Sequence, residues 1–343
     1  MDVRFVEYMP TADILLDDCM ALKPEEKLLI LTDTRIGEYF GTEALVQALM
    51  GAARLRGLDP MMAVYTTRSR AGETLPAMAE AAIKVADAII CINTYHFFQA
   101  KIVREALDGG TRIMCLPGGL NVNFEGNRSD DKLYRILPRT REEFNWLAEL
   151  NTRIGGKFIG EHKVRVTSKA GTDCTMEVGP ELMQSLCTGH CKKPGVLGFL
   201  PSGQCAIGVR PGSANGTIVI DGSLFPMQRI LSEPITYTVK AGNITDITGG
   251  KDAEQFKKII AECKYPGKYN IAEIGMGMHP RAKLQGDSFE DEHLYGSAHI
   301  GIGSNIVFGG DIFTDGFHCD GIICDATVEI DGEVICRDGE FLV

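Results

Sequence analysis

The chain lacks the marks of several large protein classes. It has no run of about 18 apolar residues, so no segment is expected to span a membrane. No basic stretch precedes an apolar one near the first residue, so no secretion signal is read there. Lys and Arg number 35 against 46 Asp and Glu, a formal net charge of −11, and the basic footprint of a nucleic-acid binder is missing. Neither GxGxxG nor GxxxxGK[ST] occurs: the first apolar run ends in Thr32-Asp33-Thr34-Arg35, and Gly37 and Gly41 alone are weak evidence for a nucleotide loop. Paired CxxC motifs are also missing. Cys187-Thr188-Gly189-His190-Cys191 groups three possible ligands, but a structural zinc site normally takes four, from two separated pairs.

What is present describes an ordinary globular protein. Apolar residues make up 44% and charged residues 24% of 343 positions, enough chain for one or two domains with a real core. The eleven cysteines are scattered through apolar runs such as Ile89-Ile90-Cys91-Ile92 and Ile322-Ile323-Cys324. That usage fits reduced core thiols and a cytoplasmic location.

The first half alternates short continuous apolar runs with helical spacing. Lys27–Asp33, Met61–Tyr65, Asp87–Asn93 and Arg112–Leu116 read as strands, the last closed by Pro117-Gly118-Gly119. Thr42–Leu55, Pro76–Val85, Phe97–Leu107 and Glu142–Ile154 read as helices, with a break at Gly155-Gly156. This pattern predicts a flavodoxin- or Rossmann-like α/β domain over residues 1–156, with a mostly parallel sheet. The second half is strand-like with one helix, Ala253–Cys263. Turn signals fall at Ala241-Gly242-Asn243 and Asp331-Gly332, and a Lys169–Asp173 turn joins a hairpin. A β-rich α+β domain is expected over residues 157–343.

The candidate chemistry lies in the last fifth of the chain. In a strand, residues two apart share a face. His318 and Asp320 can therefore aim an imidazole and a carboxylate at one point while Cys319 faces away. His299 lies in the Gly-rich run Ala298-His299-Ile300-Gly301-Ile302-Gly303, and Glu273 in Asn270–Gly277. Two imidazoles and two carboxylates on Gly-flanked strands suit a divalent metal open to substrate. A hydrogen-bonded His-x-Asp pair is the competing reading. Glu292, in the acidic segment Glu290-Asp291-Glu292, is either a general base or part of a solvated loop. His279 and Arg281 could orient an anionic or carbonyl group. His293 and His96 are weaker candidates, His96 because it sits beside Phe97 and Phe98.

These residues, in this order and spacing, resemble the metallo-aminopeptidases of the aminopeptidase T, aminopeptidase S and PepS type. The specific match is in the second domain: Glu273, Glu292, the Ala298–Gly303 run and His318-Cys319-Asp320. The resemblance implies that Glu273, His299, His318 and Asp320 are metal ligands and that the protein is a homodimer, and this mixture of imidazole and carboxylate accepts Zn, Co, Mn or Fe. Two positions depart from the peptidase pattern. Gln204 stands where a ligating Glu is expected, and Ile306 where a Tyr is expected. A neutral amide is a poorer partner for a second cation, so about one ion per chain is expected. The His-x-Asp pair also resembles that of 2,5-dihydroxypyridine 5,6-dioxygenase, a mononuclear iron enzyme of the same fold.

The reading favoured at this point is a metal-dependent hydrolase, resembling leucyl aminopeptidases. A metal-activated water would attack an amide or other carbonyl of a peptide or small molecule. Glu292 would act as base, with His279 and Arg281 as orienting groups. The alternatives are a mononuclear ring-opening enzyme, either iron dioxygenase or cyclohydrolase, and a non-catalytic binding protein.

Overall fold

The computed structural model describes residues 3–35, 42–69, 73–95, 97–98, 100–117 and 132–342. His96, Gly37, Gly41, Gly118 and Gly119 lie outside them. The chain forms two compact units, Met1–Ala148 with Cys187–Ser202, and Glu149–Leu186 with Gly203–Val343. It is an α/β unit with a parallel sheet followed by a β-rich unit of antiparallel sheets. Among the described residues no helix is long and apolar enough to cross a membrane.

The first unit is built on parallel strands β1 (Leu28–Asp33), β2 (Met61–Tyr65), β3 (Ala88–Asn93) and β4 (Arg112–Pro117), in the order β2-β1-β3-β4. Every residue of β1 and β3 is buried. Alternate residues face opposite layers: Leu28 and Ile30 meet Leu45, Leu49 and Ala52 of the helix Thr42–Leu55. Leu29 and Leu31 meet Ala79, Ile83, Ile102 and Val103 of the helices Ala77–Val85 and Lys101–Asp108. Coverage on both faces is why these strands are continuously apolar.

A fifth strand of this sheet comes from far along the chain. A division near residue 156 assigns residues 187–202 to the second domain, but they return to the first unit. There Leu197–Phe199 pairs parallel with β4. In chain order it is β8. Three residues carry too little periodicity to be read as a strand. Cys191 is buried in this stretch, its thiol directed at the Val196 and Ile113 carbonyls, and the His190 ring packs edge-on to Phe144. Burial pushes the Cys191 thiol up to about 11, as expected of a core thiol. Cys19, Cys91, Cys115, Cys174, Cys191, Cys263, Cys319, Cys324 and Cys336 are free thiols.

The helix Arg141–Gly156 runs through the glycines that were expected to break it. The Leu186 side chain occupies the space a Cβ of Gly155 would need, so Gly155 serves close packing rather than termination.

The second unit holds two sheets. The larger is antiparallel with order β12-β11-β10-β6-β5-β16-β17-β18. Its strands are β5 (His162–Thr167), β6 (Asp173–Val178), β10 (Asn215–Ile220), β11 (Ile235–Lys240), β12 (Asn243–Gly249), β16 (Thr327–Ile330), β17 (Glu333–Arg337) and β18 (Glu340–Phe341). Strand β5 buries Val164 and Val166 between exposed Lys163 and Arg165, the alternation of a sheet with one wet face. The turns at Ala241-Gly242 and Asp331-Gly332 have positive φ at both residues, which suits two-residue hairpins. Phe256 of the helix Lys251–Glu262 packs 6.0 Å from the Tyr237 ring.

The smaller sheet carries the candidate chemistry. Its order is β15-β14-β13-β9-β7, from β7 (Gln184–Leu186), β9 (Gln204–Gly208), β13 (Ile271–Gly277), β14 (Ala298–Gly303) and β15 (His318–Ile323). One face is apolar core: Cys205, Ile207, Ile274, Met276, Ile300, Ile302, Cys319 and Ile323 are all buried. The other face bears small residues and the ionisable groups.

Candidate metal centre

Register places the site. Glu273 of β13 pairs with Gly301 of β14, and Gly301 pairs with Asp320 of β15. Three neighbouring strands therefore present a carboxylate, an empty position and a second carboxylate in one row. His318 is two residues before Asp320 and pairs with Gly303, so its ring leans over the same gap. The gap exists because Gly301 has no side chain. A Cβ there would fall 2.8 Å from Glu273 Cδ and 2.8 Å from His318 Nε2.

The three side chains converge. His318 Nε2 lies 3.0 Å from Glu273 Oε2 and 3.1 Å from Asp320 Oδ1. One donor atom from each falls within 4.8 Å of the others, and no other group of three His, Cys, Asp or Glu side chains among the described residues does so. Cys187, His190 and Cys191 form no such group. The Ser304 carbonyl accepts a hydrogen bond from His318 Nδ1 at 2.8 Å, so Nε2 is the nitrogen that can give its lone pair to a cation among the carboxylates. The Asp320 backbone is held from the other side, where Phe225 N–H donates to its carbonyl at 2.9 Å. Ser304 and Phe225 act through main-chain atoms, so no residue-type signal could have revealed them.

Charge in the site is strongly perturbed. Burial opposes protonation of His318, but the Asp320 and Glu273 carboxylates outweigh it and push the imidazole well above its ordinary range. Burial raises Glu273, yet the His318 and His299 imidazoles hold its carboxyl down at about 2. Asp320 Oδ1 is buried, and its 3.1 Å contact with His318 Nε2 is not aligned as a hydrogen bond. A mutually dependent set of one buried carboxylate, a half-buried carboxylate and a half-buried imidazole is costly unless a cation joins it.

His299 does not join the trio directly. It is fully buried, with Nε2 3.3 Å from Glu273 Oε1 and 3.4 Å from the Gln204 carboxamide nitrogen. Gln204 opens β9 on the same face and is buried. Ile306 lies in a short 3-10 turn and is 45% exposed.

The segment between β13 and β14 sorts its acids. Glu290 and Asp291 have no exposure, so the segment is not a solvated acidic loop. Glu290 accepts the Lys283 N–H at 2.9 Å. Asp291 accepts the N–H groups of Gln285 and Gly286 and the Ser223 hydroxyl. These two acids tie the segment together. Glu292 instead faces the trio: burial, then the Asp320 and Glu273 carboxylates, push its carboxyl well above the usual range. His279 is buried and its Nδ1 accepts the Arg281 N–H at 3.2 Å. His293 is also structural in its contacts, with Nδ1 2.7 Å from the Phe289 carbonyl and its ring stacked on Phe289.

The family model for 2,5-dihydroxypyridine 5,6-dioxygenase matches residues 15–343. The chain belongs to this family. It is 26% identical over 279 residues to the 2,5-dihydroxypyridine 5,6-dioxygenase of Pseudomonas putida KT2440, covering 76% of this chain and 74% of that one. The solved structure of 2,5-dihydroxypyridine dioxygenase from P. putida KT2440 superposes with a TM-score of 0.78 at 21% identity, over 99% of this chain and 98% of that chain. Wild-type AmpT from Thermus thermophilus superposes with a TM-score of 0.69 at 12% identity, over 99% and 100%. The likeness to aminopeptidases is therefore one of fold. The expected amide hydrolysis is overturned, because the family that matches nearly the whole chain is one of ring-opening dioxygenases. The metal expectation stands: an enzyme of this family with this side-chain cluster is a divalent-metal protein, with iron among the metals that fit.

Proposed function

We propose that this protein is a mononuclear metal dioxygenase that opens the ring of a dihydroxylated pyridine. The observation that carries the reading is the convergence of Glu273, His318 and Asp320 over Gly301 in a chain of the dihydroxypyridine dioxygenase family. The donors fit one divalent ion. They offer one imidazole nitrogen with a fixed tautomer and two carboxylates, with the buried Asp320 Oδ1 in contact with His318 Nε2. One imidazole and two carboxylates form a harder set than two imidazoles and one carboxylate, and suit Fe(II) or Mn(II).

Iron(II), when bound, supplies the electron transfer through which dioxygen can react with an electron-rich ring. The chain's own residues do the rest. Glu273, His318 and Asp320 hold the ion, and the Ser304 carbonyl fixes the imidazole that faces it. Glu292 exchanges a proton with a substrate hydroxyl, because burial and the Asp320 and Glu273 carboxylates raise its carboxyl's affinity for a proton. His279 and Arg281 are assigned to orienting the ring's polar substituents.

The test is oxygen consumption by the Fe(II)-loaded full chain with 2,5-dihydroxypyridine. One O2 consumed per ring lost is expected, and a Glu292→Gln variant should lose about 10²–10⁴-fold in rate while keeping its metal. Ring loss without oxygen uptake would mean hydrolytic opening and end the dioxygenase reading. An unimpaired Glu292→Gln variant would remove only the role of Glu292.

A further inference from the structure

We infer that His299 is a positioning residue that holds Glu273 in a one-oxygen binding mode, and is not itself a metal ligand. The inference rests on the metal centre proposed at Glu273, His318 and Asp320, and concerns how one of its arms is held.

The tautomer decides the matter. His299 is fully buried, and its Nδ1 has no hydrogen-bond partner. Its polar contacts are on the Nε2 side: Glu273 Oε1 at 3.3 Å and the Gln204 carboxamide nitrogen at 3.4 Å, of which only the first is charged. A carboxylate only accepts hydrogen bonds. With the proton on Nδ1, a buried N–H would be wasted and the Nε2 lone pair would face the lone pairs of Glu273. With the proton on Nε2, the ring donates to Glu273 Oε1, and only a weaker acceptor is left unpaired at Nδ1. A nitrogen carrying that proton has no lone pair for a cation. The Gln204 carboxamide nitrogen, 3.4 Å away, would face this N–H as a second donor, and turning the amide by 180° presents its oxygen instead. Gln204 is neutral, so it does not compete with Glu273 as a charged acceptor.

The geometry divides the labour of the two Glu273 oxygens. Oε1 faces His299, while Oε2 lies 3.0 Å from His318 Nε2, on the side of the trio. The backbone holds the arrangement. The His299 ring lies over Gly275, its register partner on β13, where a Cβ would fall 2.8 Å from Nδ1. The ring therefore has a slot in which only glycine leaves room, and the slot aims Nε2 at Glu273. A partner of this kind typically contributes 10–100-fold to metal affinity.

The test titrates Mn(II), followed by its free-ion electron paramagnetic resonance signal, into the full-length chain stripped of metal. Four proteins are compared: wild type, His299→Leu, His299→Gln and His318→Ala. A glutamine can place an amide N–H near the position of Nε2, but leucine cannot donate. Expected are one Mn(II) per wild-type chain, a 10–100-fold weaker but still 1:1 site in His299→Leu, recovery to within about threefold in His299→Gln, and loss of tight binding in His318→Ala. If both His299 variants lose binding as completely as His318→Ala, His299 is a ligand and the inference is wrong. If His299→Leu binds like wild type, His299 positions nothing and the inference is also wrong. If wild type binds neither Mn(II) nor Fe(II), the metal centre itself fails, a result distinguishable from either of these.

Discussion

At the scale of single residues, the site depends on a missing side chain as much as on those present. Gly301 leaves the space that Glu273 and His318 enter from neighbouring strands. Its backbone is ordinary strand, so alanine is tolerated conformationally and acts only by filling the gap. Gly301→Ala is expected to leave the thermal unfolding of the metal-free protein within a few degrees of wild type. It should weaken divalent-metal binding by at least about tenfold, as displaced supporting contacts do. Calorimetric metal titration beside a thermal scan checks both halves. Unchanged metal affinity would show that the gap over Gly301 is not where the ion sits. His318 and Asp320 were legible as a pair because a two-residue spacing on a strand fixes a common face, and Glu273 was singled out by its Gly-flanked run and the aminopeptidase resemblance. The departure of His299 from the trio was not, because its distance to the others is set by which rows of two neighbouring strands align.

At the scale of elements, the helix Lys251–Glu262 is tied down at its start by Asp252. The carboxylate receives Arg229 Nη2 at 2.6 Å, Ser232 N at 2.5 Å and Glu233 N at 3.2 Å, and is almost fully buried. The Arg229 guanidinium, working against burial and helped by the Ser232 and Glu233 N–H groups, holds its carboxyl well below the usual carboxylate range. The folded-state pKa is thus depressed below the unfolded value of 3.8. The stabilisation is present above that value and is lost as pH falls through the folded pKa. Asp252→Ala should cost about 1–3 kcal/mol at pH 7, with a smaller difference from wild type below pH 4. Urea unfolding at both pH values measures this. A difference that grows on acidification would contradict the assignment. The hairpins of this unit were legible from turn chemistry at Ala241-Gly242 and Asp331-Gly332. The short strand Leu197–Phe199 was not, because its pairing with β4 is a long-range contact.

At the scale of the whole molecule, metal number follows from charge. Two divalent ions a few ångströms apart repel and need several carboxylates between them. The converging carboxylates here are Glu273 and Asp320, Glu292 resists ionisation beside them, and Gln204 is neutral. One tightly held ion per chain is expected, with Gln204→Glu raising affinity for a second. Elemental analysis after dialysis tests it, and two full equivalents in the native chain would refute it. Assembly belongs to the same scale. The resemblance to dimeric metalloenzymes, together with strand edges that need covering, leads us to expect a homodimer. Light scattering that returns a monomer at micromolar concentration would rule that out.

The alternation of buried strands and amphipathic helices determined the α/β first unit, because periodicity reports which faces are covered. The spacing of His318 and Asp320 determined a shared face, because the pleat of a strand leaves no other arrangement. Tertiary structure alone decided the rest. Antiparallel register aligned Glu273, Gly301 and Asp320 in one row. The fold turned Glu290 and Asp291 inward as anchors while leaving Glu292 toward the trio. It set His299 against Glu273 rather than among the converging donors. Each of these depends on distances between segments far apart in the chain, and local pattern carries no information about them.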